Sequence, residues 1–312
     1  MNTFAFVFPG QGSQAVGMLD AWGDASAVRE TLDEASSALD IDMARLIREG
    51  PKEQLDLTTN TQPVMLVAGV ACFRAWMAET GLAPSVMAGH SLGEYSALVA
   101  SGVLTLADAV PLVRFRAEAM QHAVPVGVGA MAAILGLDAE AVRRGCDAVA
   151  SETGETVEAV NFNDPKQTVI AGTKAGVAQA CEVLKASGAK RALPLPVSAP
   201  FHSSLMKPAA ERLKERLAAT RIESPRIPVV NNVDVVIRDD PDAIRDALYR
   251  QAFAPVRWVE TINALRAFGS TSIFECGPGK VLAGMVKRIE PEVVSGAVFD
   301  PASLAATRAL LS

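Results

Sequence analysis

Gly89-His90-Ser91-Leu92-Gly93 stands between an extended apolar run, Pro84 to Ala88, and the helix-like stretch Glu94-Tyr95-Ser96-Ala97-Leu98-Val99-Ala100. A serine framed by glycines at this spacing is the pattern of a nucleophile elbow, where a strand reverses sharply into a helix. The turn leaves the serine on a strained backbone with its hydroxyl exposed, and a side chain at Gly89 or Gly93 would crowd it. Ser91 and the amide of Leu92 then lie at a helix N-terminus, where free N–H groups and the dipole favour developing negative charge. Such a place suits acyl transfer through a tetrahedral oxyanion. The competing reading is a turn whose serine only caps a helix.

The 312 residues, half of them hydrophobic, suffice for one large domain or for a large one with a small companion. Aromatic residues are few, so the core is expected to be mainly Ala, Val, Leu and Met. Cys72, Cys146, Cys181 and Cys276 show no C-x-x-C spacing, which indicates neither a zinc site nor a disulfide framework. No metal and no cofactor are expected. The N-terminus lacks a basic, then apolar leader, and no apolar run approaches a membrane span, so a cytoplasmic protein without membrane contact is expected. A formal charge of −6 argues against general nucleic-acid binding while leaving room for a local basic patch facing an acidic partner.

Thr3 to Phe8 reads as a buried strand, left through the loop Pro9-Gly10-Gln11-Gly12-Ser13-Gln14. The next glycine, Gly17, comes too late for a dinucleotide fingerprint, so a Rossmann cofactor site is rejected. The glycines can let the backbone of Gln11 approach a ligand, or can simply make a turn. Ser26 to Leu39 and Met43 to Glu49 read as helices, and Asn60-Thr61-Gln62-Pro63 opens a long one to about Thr80, apolar nearly all round and therefore buried. In the helix from Thr105 to about His122, Arg114 and Arg116 interrupt an apolar surface; arginines there are usually exposed or paired to carboxylates.

From Ala130 to Val197 the elements read strand, helix, strand, strand, helix, strand: 130–137, 139–150, 156–161, 167–171, 174–187 and 189–195. That order is the ferredoxin-like βαββαβ unit. We expect residues 126–197 to form this small domain, inserted into a larger one made of 1–125 and 198–312. The larger one resumes with a helix from Lys207 to Thr220, a strand Ile227–Asn231, helices 242–251 and 259–268, and a strand Ser272–Glu275. Strands alternating with helices imply an α/β architecture with a largely parallel sheet covered on both faces.

A serine hydroxyl needs a base to act as a nucleophile. His90 adjoins Ser91 and should point away from it, and His122 ends a helix like a C-terminal dipole partner. His202, in an irregular crossing back toward the large domain, is the remaining candidate, unless local backbone merely satisfies it. No Asp or Glu announces itself as a third member.

Eight stretches then carry a resemblance: FPGQGSQ (8–14), NTQP (60–63), GHSLGEYSALVASG (89–102), GAMAAILGL (129–137), NFN (161–163), PVSAPFHSSLMKPA (196–209), NNVD (231–234) and FECGPGKVL (274–282). In this order, over almost the whole chain, they resemble the bacterial malonyl-CoA:acyl carrier protein transacylase family of fatty acid synthesis. The resemblance implies an α/β-hydrolase-like large domain carrying the ferredoxin-like one, with the active site between them. It implies that Ser91 is acylated, that His202 is its base and that the main-chain carbonyl of Gln251 helps orient the histidine. The amides of Gln11 and Leu92 would form the oxyanion hole, and Arg116 would bind the malonyl carboxylate. Two departures stand out: AFAPVRW follows Gln251 where LYNPVQW is closer to the pattern, and Phe201 precedes His202 where serine is frequent. The phenylalanine resembles malonyl-selective polyketide synthase domains, and its bulk would crowd an α-methyl branch.

The resulting expectation is a ping-pong transferase, acting on malonyl-CoA and on the phosphopantetheine thiol of holo acyl carrier protein, with a monomer as the working state. A free-standing acyltransferase serving a polyketide synthase shares every catalytic residue. A serine hydrolase and a non-catalytic carrier-docking protein are the alternatives from other classes. Carrier docking on a basic surface nominates Lys185, Lys190, Arg191, Lys280, Lys287 and Arg288.

Overall fold

The computed structural model describes residues 3–197 and 199–311. The expected return to the large domain at Ser198, like the chain ends Met1, Asn2 and Ser312, lies outside the described residues.

Strand β1 (Phe4–Phe8) is followed by α1 (Ser26–Leu39), α2 (Met43–Glu49), α3 (Lys52–Leu55) and α4 (Thr58–Thr80). Next come β2 (Val86–Gly89), α5 (Gly93–Ala100) and α6 (Leu106–Gln121). The middle of the chain runs β3 (Gly129–Leu135), α7 (Ala139–Thr153), β4 (Val157–Asp164), β5 (Gln167–Thr173), α8 (Lys174–Ala186) and β6 (Arg191–Pro194). It closes with α9 (Lys207–Ala218), β7 (Val229–Val230), α10 (Pro241–Gln251), α11 (Trp258–Ala267), β8 (Ser272–Cys276), α12 (Val281–Ile289), β9 (Val294–Val298) and α13 (Pro301–Ala309).

Two sheets result. One has five strands in the order β7-β2-β1-β8-β9, all parallel; the other has four in the order β4-β5-β3-β6, all antiparallel. Side chains of a strand alternate between faces, and β1 shows what that does here. Phe4, Phe6 and Phe8 enter the large core with α4, α1 and α6, whereas Ala5 and Val7 join a second core beneath α11 and α12. Both faces are therefore covered, as an all-parallel sheet requires. Trp76 of α4 packs edge-on against Phe6 at 5.3 Å between ring centroids, and α4 is buried along most of its length.

Helix α4 starts two residues before the expected Asn60, so Pro63 falls in its second turn and not near its first. Strand β7 keeps only two of the five expected residues: Asn231 leaves the sheet to close its own turn against Val236 and Asp234, and the next residue, Asn232, turns its side chain to the elbow. The antiparallel sheet is fastened to the parallel one along its β4 edge. Phe162 donates its N–H to the carbonyl of Val256 (3.0 Å), Val256 donates back to Val160 (2.8 Å), and Arg288 pairs with the buried Asp164 at 2.7 Å. Since every strand of the parallel sheet points the same way, the loops leaving β1, β2, β7 and β8 gather on one rim, facing β4.

Candidate active site

The turn after β2 exists because hydrogen alone fits at its glycines. A Cβ on Gly89 would lie 1.9 Å from the carbonyl carbon of Gly93, and one on Gly93 would lie 2.0 Å from the carbonyl oxygen of Phe8. Ser91 sits at the crest with φ of 52°, a left-handed conformation costing a non-glycine residue roughly 1–3 kcal/mol. Asn232 holds it there: the Ser91 N–H donates to Asn232 Oδ1 (2.7 Å), and Asn232 Nδ2 donates to the carbonyl of Gly89 (2.7 Å).

Ser91 Oγ lies 2.6 Å from Nε2 of His202, although 111 residues separate them. On the other side of the ring, Nδ1 lies 2.9 Å from the main-chain carbonyl oxygen of Gln251. A carbonyl only accepts, so Nδ1 carries the proton and donates it, and Nε2 presents its lone pair to the serine O–H. Burial, with the nearby positive charge of Arg116 second, pushes the imidazole pKa down to about 3. His202 is therefore neutral at any ordinary pH, with the Nε2 lone pair free to face the serine O–H.

That shift makes a prediction about pH. The unfolded chain's histidine takes up a proton as pH falls below 6.5, while His202 in the fold resists until about 3, so its contribution to stability is lost progressively as pH falls across that window. The rate of Ser91 acylation, kcat/KM for the first substrate, should stay level between about pH 5 and 7, where a free histidine would titrate. A pH profile with an acid limb near 6.5, the ordinary histidine value, would show that the imidazole is not held neutral.

Arg116, only 2% exposed, points its guanidinium into the same place. Nη1 donates to Gln62 Oε1 at 2.6 Å, Nη2 donates to Gln251 Oε1 at 3.1 Å, and Nη2 lies 3.5 Å from Ser91 Oγ. Nε has no partner among the described residues, and the ring of Tyr95 lies 5.5 Å from Cζ. Its neighbour Arg114 differs: it is tied to Glu118 at 2.9 Å and to Asn60 Oδ1 at 2.8 Å. Of the two arginines singled out in the sequence, only Arg116 is a buried cation held by amide oxygens.

The loop after β1 completes the rim. A Cβ on Gly10 would lie 2.6 Å from the carbonyl oxygen of His90 and 3.8 Å from the amide nitrogen of Leu92, so glycine lets this loop lie flat against the elbow. Among the described residues neither the Gln11 nor the Leu92 amide has a hydrogen-bond acceptor. Both residues line a cavity of about 190 Å³ that also exposes Ser91, Arg116, Phe201 and His202. Met131, Asn161 and Asn163 of the antiparallel sheet form its opposite wall. A larger cleft of about 660 Å³ between α1, α4 and α13 is lined half by alanines and brings no serine–histidine pair together.

His90 turns away from Ser91, its Nε2 lying 2.8 Å from Asn163 Oδ1, and His122 caps α6 with Nδ1 against the carbonyl of Glu118. All six residues expected at the site, Ser91, His202, Gln251, Gln11, Leu92 and Arg116, converge. Three more went unassigned in the sequence: Gln62, Asn232 and Glu94. Gln62 and Asn232 fall in the conspicuous NTQP and NNVD stretches but do not titrate, and Glu94 looks like a helix-start acid. Glu94 is in fact buried, which pushes its carboxyl up to about 7 against the pull of Gln251 and Asn232.

Residues 5–298 match the acyl transferase domain family. The malonyl CoA-acyl carrier protein transacylase of Escherichia coli K12 is 52% identical over 98% of this chain and 99% of that protein. The crystal structure of an acyl-carrier-protein S-malonyltransferase from Burkholderia pseudomallei 1710b superposes with a TM-score of 0.96, at 62% identity, over 98% of this chain and 99% of the other. A malonyl-transacylase solved in complex with its type II PKS acyl-carrier protein superposes with a TM-score of 0.95 at 50% identity, covering 97% of this chain and 98% of that one. With nearly its whole length matched at this identity and the glycine-framed serine in contact with a histidine, the chain belongs to the malonyl CoA-acyl carrier protein transacylases of the acyl transferase family.

Proposed function

We propose that the chain transfers malonyl from malonyl-CoA to the phosphopantetheine thiol of an acyl carrier protein through an ester on Ser91. Ser91 Oγ attacks the thioester carbonyl carbon while its proton passes to Nε2 of His202. The amides of Gln11 and Leu92 receive the resulting oxyanion; a preformed pair without competing acceptors needs no rearrangement as charge develops. The C–S bond breaks, the sulfur of coenzyme A takes the proton from His202, and malonyl remains on Ser91. In the second half the carrier thiol gives its proton to His202 and attacks the ester, and the proton returns to Ser91 Oγ as it leaves. The Gln251 carbonyl keeps the same nitrogen poised in both directions.

The observation that carries this reading is Arg116, a buried cation beside Ser91 that, among the described residues, has amide oxygens but no carboxylate as partners. A guanidinium fork pairs bidentately with a carboxylate, which malonyl has and acetyl lacks. Arg116→Ala should lower kcat/KM for malonyl-CoA about thirty-fold, roughly 2 kcal/mol, while the constant for acetyl-CoA holds or rises. Arg116→Lys should recover part of the loss, since an ammonium keeps the charge but not the fork. A proportional fall for both thioesters would withdraw the clamp assignment.

The finer architecture follows the same lines. The order β4-β5-β3-β6 supports a ferredoxin-like small domain over 126–197, and the elbow on a parallel sheet supports an α/β-hydrolase-like large one over 1–125 and 198–312. The proposed steps use Ser91, His202, Gln251, Gln11, Leu92 and Arg116 alone and call on no second subunit, so the chain is taken to act as a monomer. For carrier docking the nominated cations fall on two stretches, Lys185 with Lys190 and Arg191, and Lys280 with Lys287 and Arg288. Lys185 and Arg288 are already paired, to Glu182 and Asp164, which leaves Lys190, Arg191, Lys280 and Lys287 as the better candidates. A carrier of polyketide synthesis is the second reading, favoured by the likeness to the malonyl-transacylase solved with a type II PKS carrier.

A further inference from the structure

Glu94 stands in the first turn of α5, yet it does more there than face a helix dipole. One of its oxygens, Oε2, accepts two hydrogen bonds that lead into opposite halves of the site: from the Asn232 backbone N–H at 2.9 Å and from Gln251 Nε2 at 2.9 Å. The first bond fixes the residue whose side chain grips Ser91 N–H and the Gly89 carbonyl. The second fixes Gln251, which reaches His202, Ser91 and Arg116.

Gln251 is that joint. Its main-chain carbonyl receives His202 Nδ1, Nε2 also donates to the Ser91 carbonyl at 3.1 Å, and Oε1 receives Arg116 Nη2 at 3.1 Å. A primary amide turned by half a rotation exchanges donor for acceptor. Turned that way, the NH₂ of Gln251 would face a guanidinium that has only donors, and its oxygen would face the Ser91 carbonyl. Two acceptors on Nε2 oppose this, the Ser91 carbonyl at 3.1 Å and, closer, Glu94 Oε2 at 2.9 Å. Gln62, the other amide on Arg116, has no equal constraint, because among the described residues its Nε2 meets only the thioether of Met120 at 3.9 Å.

The geometry points to Glu94 as a positioning residue: by accepting from Gln251 Nε2 it sets the polarity of that amide, and so aims Arg116 at the substrate carboxylate while Asn232 is held on the Ser91 turn. The inference rests on the reading of Arg116 as the malonyl clamp. Both donors meet Oε2, so a proton on Oε1 leaves the two bonds in place, and what Glu94 supplies is an acceptor in a fixed position.

The test compares kcat/KM for malonyl-CoA and acetyl-CoA, per acylatable Ser91, in wild type, Glu94→Leu, Glu94→Gln, Gln251→Met and Arg116→Ala. Glu94→Leu fills the same space without an acceptor, and Gln251→Met keeps the main-chain carbonyl for His202 while removing the amide. Each should lower the malonyl-to-acetyl ratio about tenfold, and Glu94→Gln, which keeps an acceptor oxygen, should stay within about threefold of wild type. Equal losses for both thioesters in Glu94→Leu, or a Glu94→Gln as poor as Glu94→Leu, overturn the inference. If Glu94→Leu does not fold, an unchanged ratio in Gln251→Met overturns it alone. An unchanged ratio in Arg116→Ala instead means that the clamp reading has failed and the inference falls with it. Collapse in Arg116→Ala without any in Glu94→Leu and Gln251→Met removes Glu94 only.

Discussion

Ser91→Ala should fold like the wild type and never gain the mass of a malonyl group. The elbow is shaped by Gly89 and Gly93, whose missing Cβ atoms make room for the turn, and by Asn232, which binds the Ser91 backbone N–H and not its hydroxyl. Alanine keeps all of these and tolerates the φ of 52° no worse than serine does. What disappears is the one oxygen that His202 Nε2 reaches, at 2.6 Å. Intact-mass measurement after incubation with malonyl-CoA, beside a melting curve, reads both halves of the expectation. A variant that still transfers malonyl to the carrier at the wild-type rate would remove Ser91 from the reaction, whatever its fold.

His202→Ala comes second in size. The same imidazole takes a proton from Ser91 in the first half-reaction and from the carrier thiol in the second, so both should slow, each by about a thousandfold. Burial makes the expectation sharper, because among the described residues no other side chain near Ser91 Oγ can serve. His90 is committed to Asn163, and Arg116 has no lone pair to offer. Single-turnover acylation and single-turnover transfer from isolated malonyl-enzyme separate the two steps. Slowing of carrier transfer alone would reassign His202 to docking.

The parts of this site that were legible beforehand are those with a local signature. Glycines at 89 and 93 declare a turn, and a lone histidine in an irregular crossing declares a base, so the pair could be named before its 2.6 Å contact was known. The six elements from Gly129 to Pro194 were equally readable, because turn residues separate short periodic runs, and their ends moved by only a few residues. The C-terminal α12, β9 and α13 were not described in the sequence. Strand β9 is a half-exposed edge with a central glycine, VSGAV, and has no clean alternation. Legibility failed most completely for the amides. Gln62, Asn232 and the side chain of Gln251 act through orientation, and orientation is fixed by partners more than 50 residues away. Glu94 was hidden for the opposite reason, since an acid at a helix start already has an ordinary explanation.

The most direct test of the central claim follows one labelled acyl group through both steps. The protein is incubated with malonyl-CoA carrying radiolabel in the malonyl group, freed of small molecules, digested to locate the label, and in parallel offered holo carrier or buffer alone. The account predicts label on the peptide containing Ser91, retained in buffer and passed to the carrier thiol on addition of holo carrier. Label released as free malonate at the same rate with or without carrier would contradict it, and would make the protein a hydrolase.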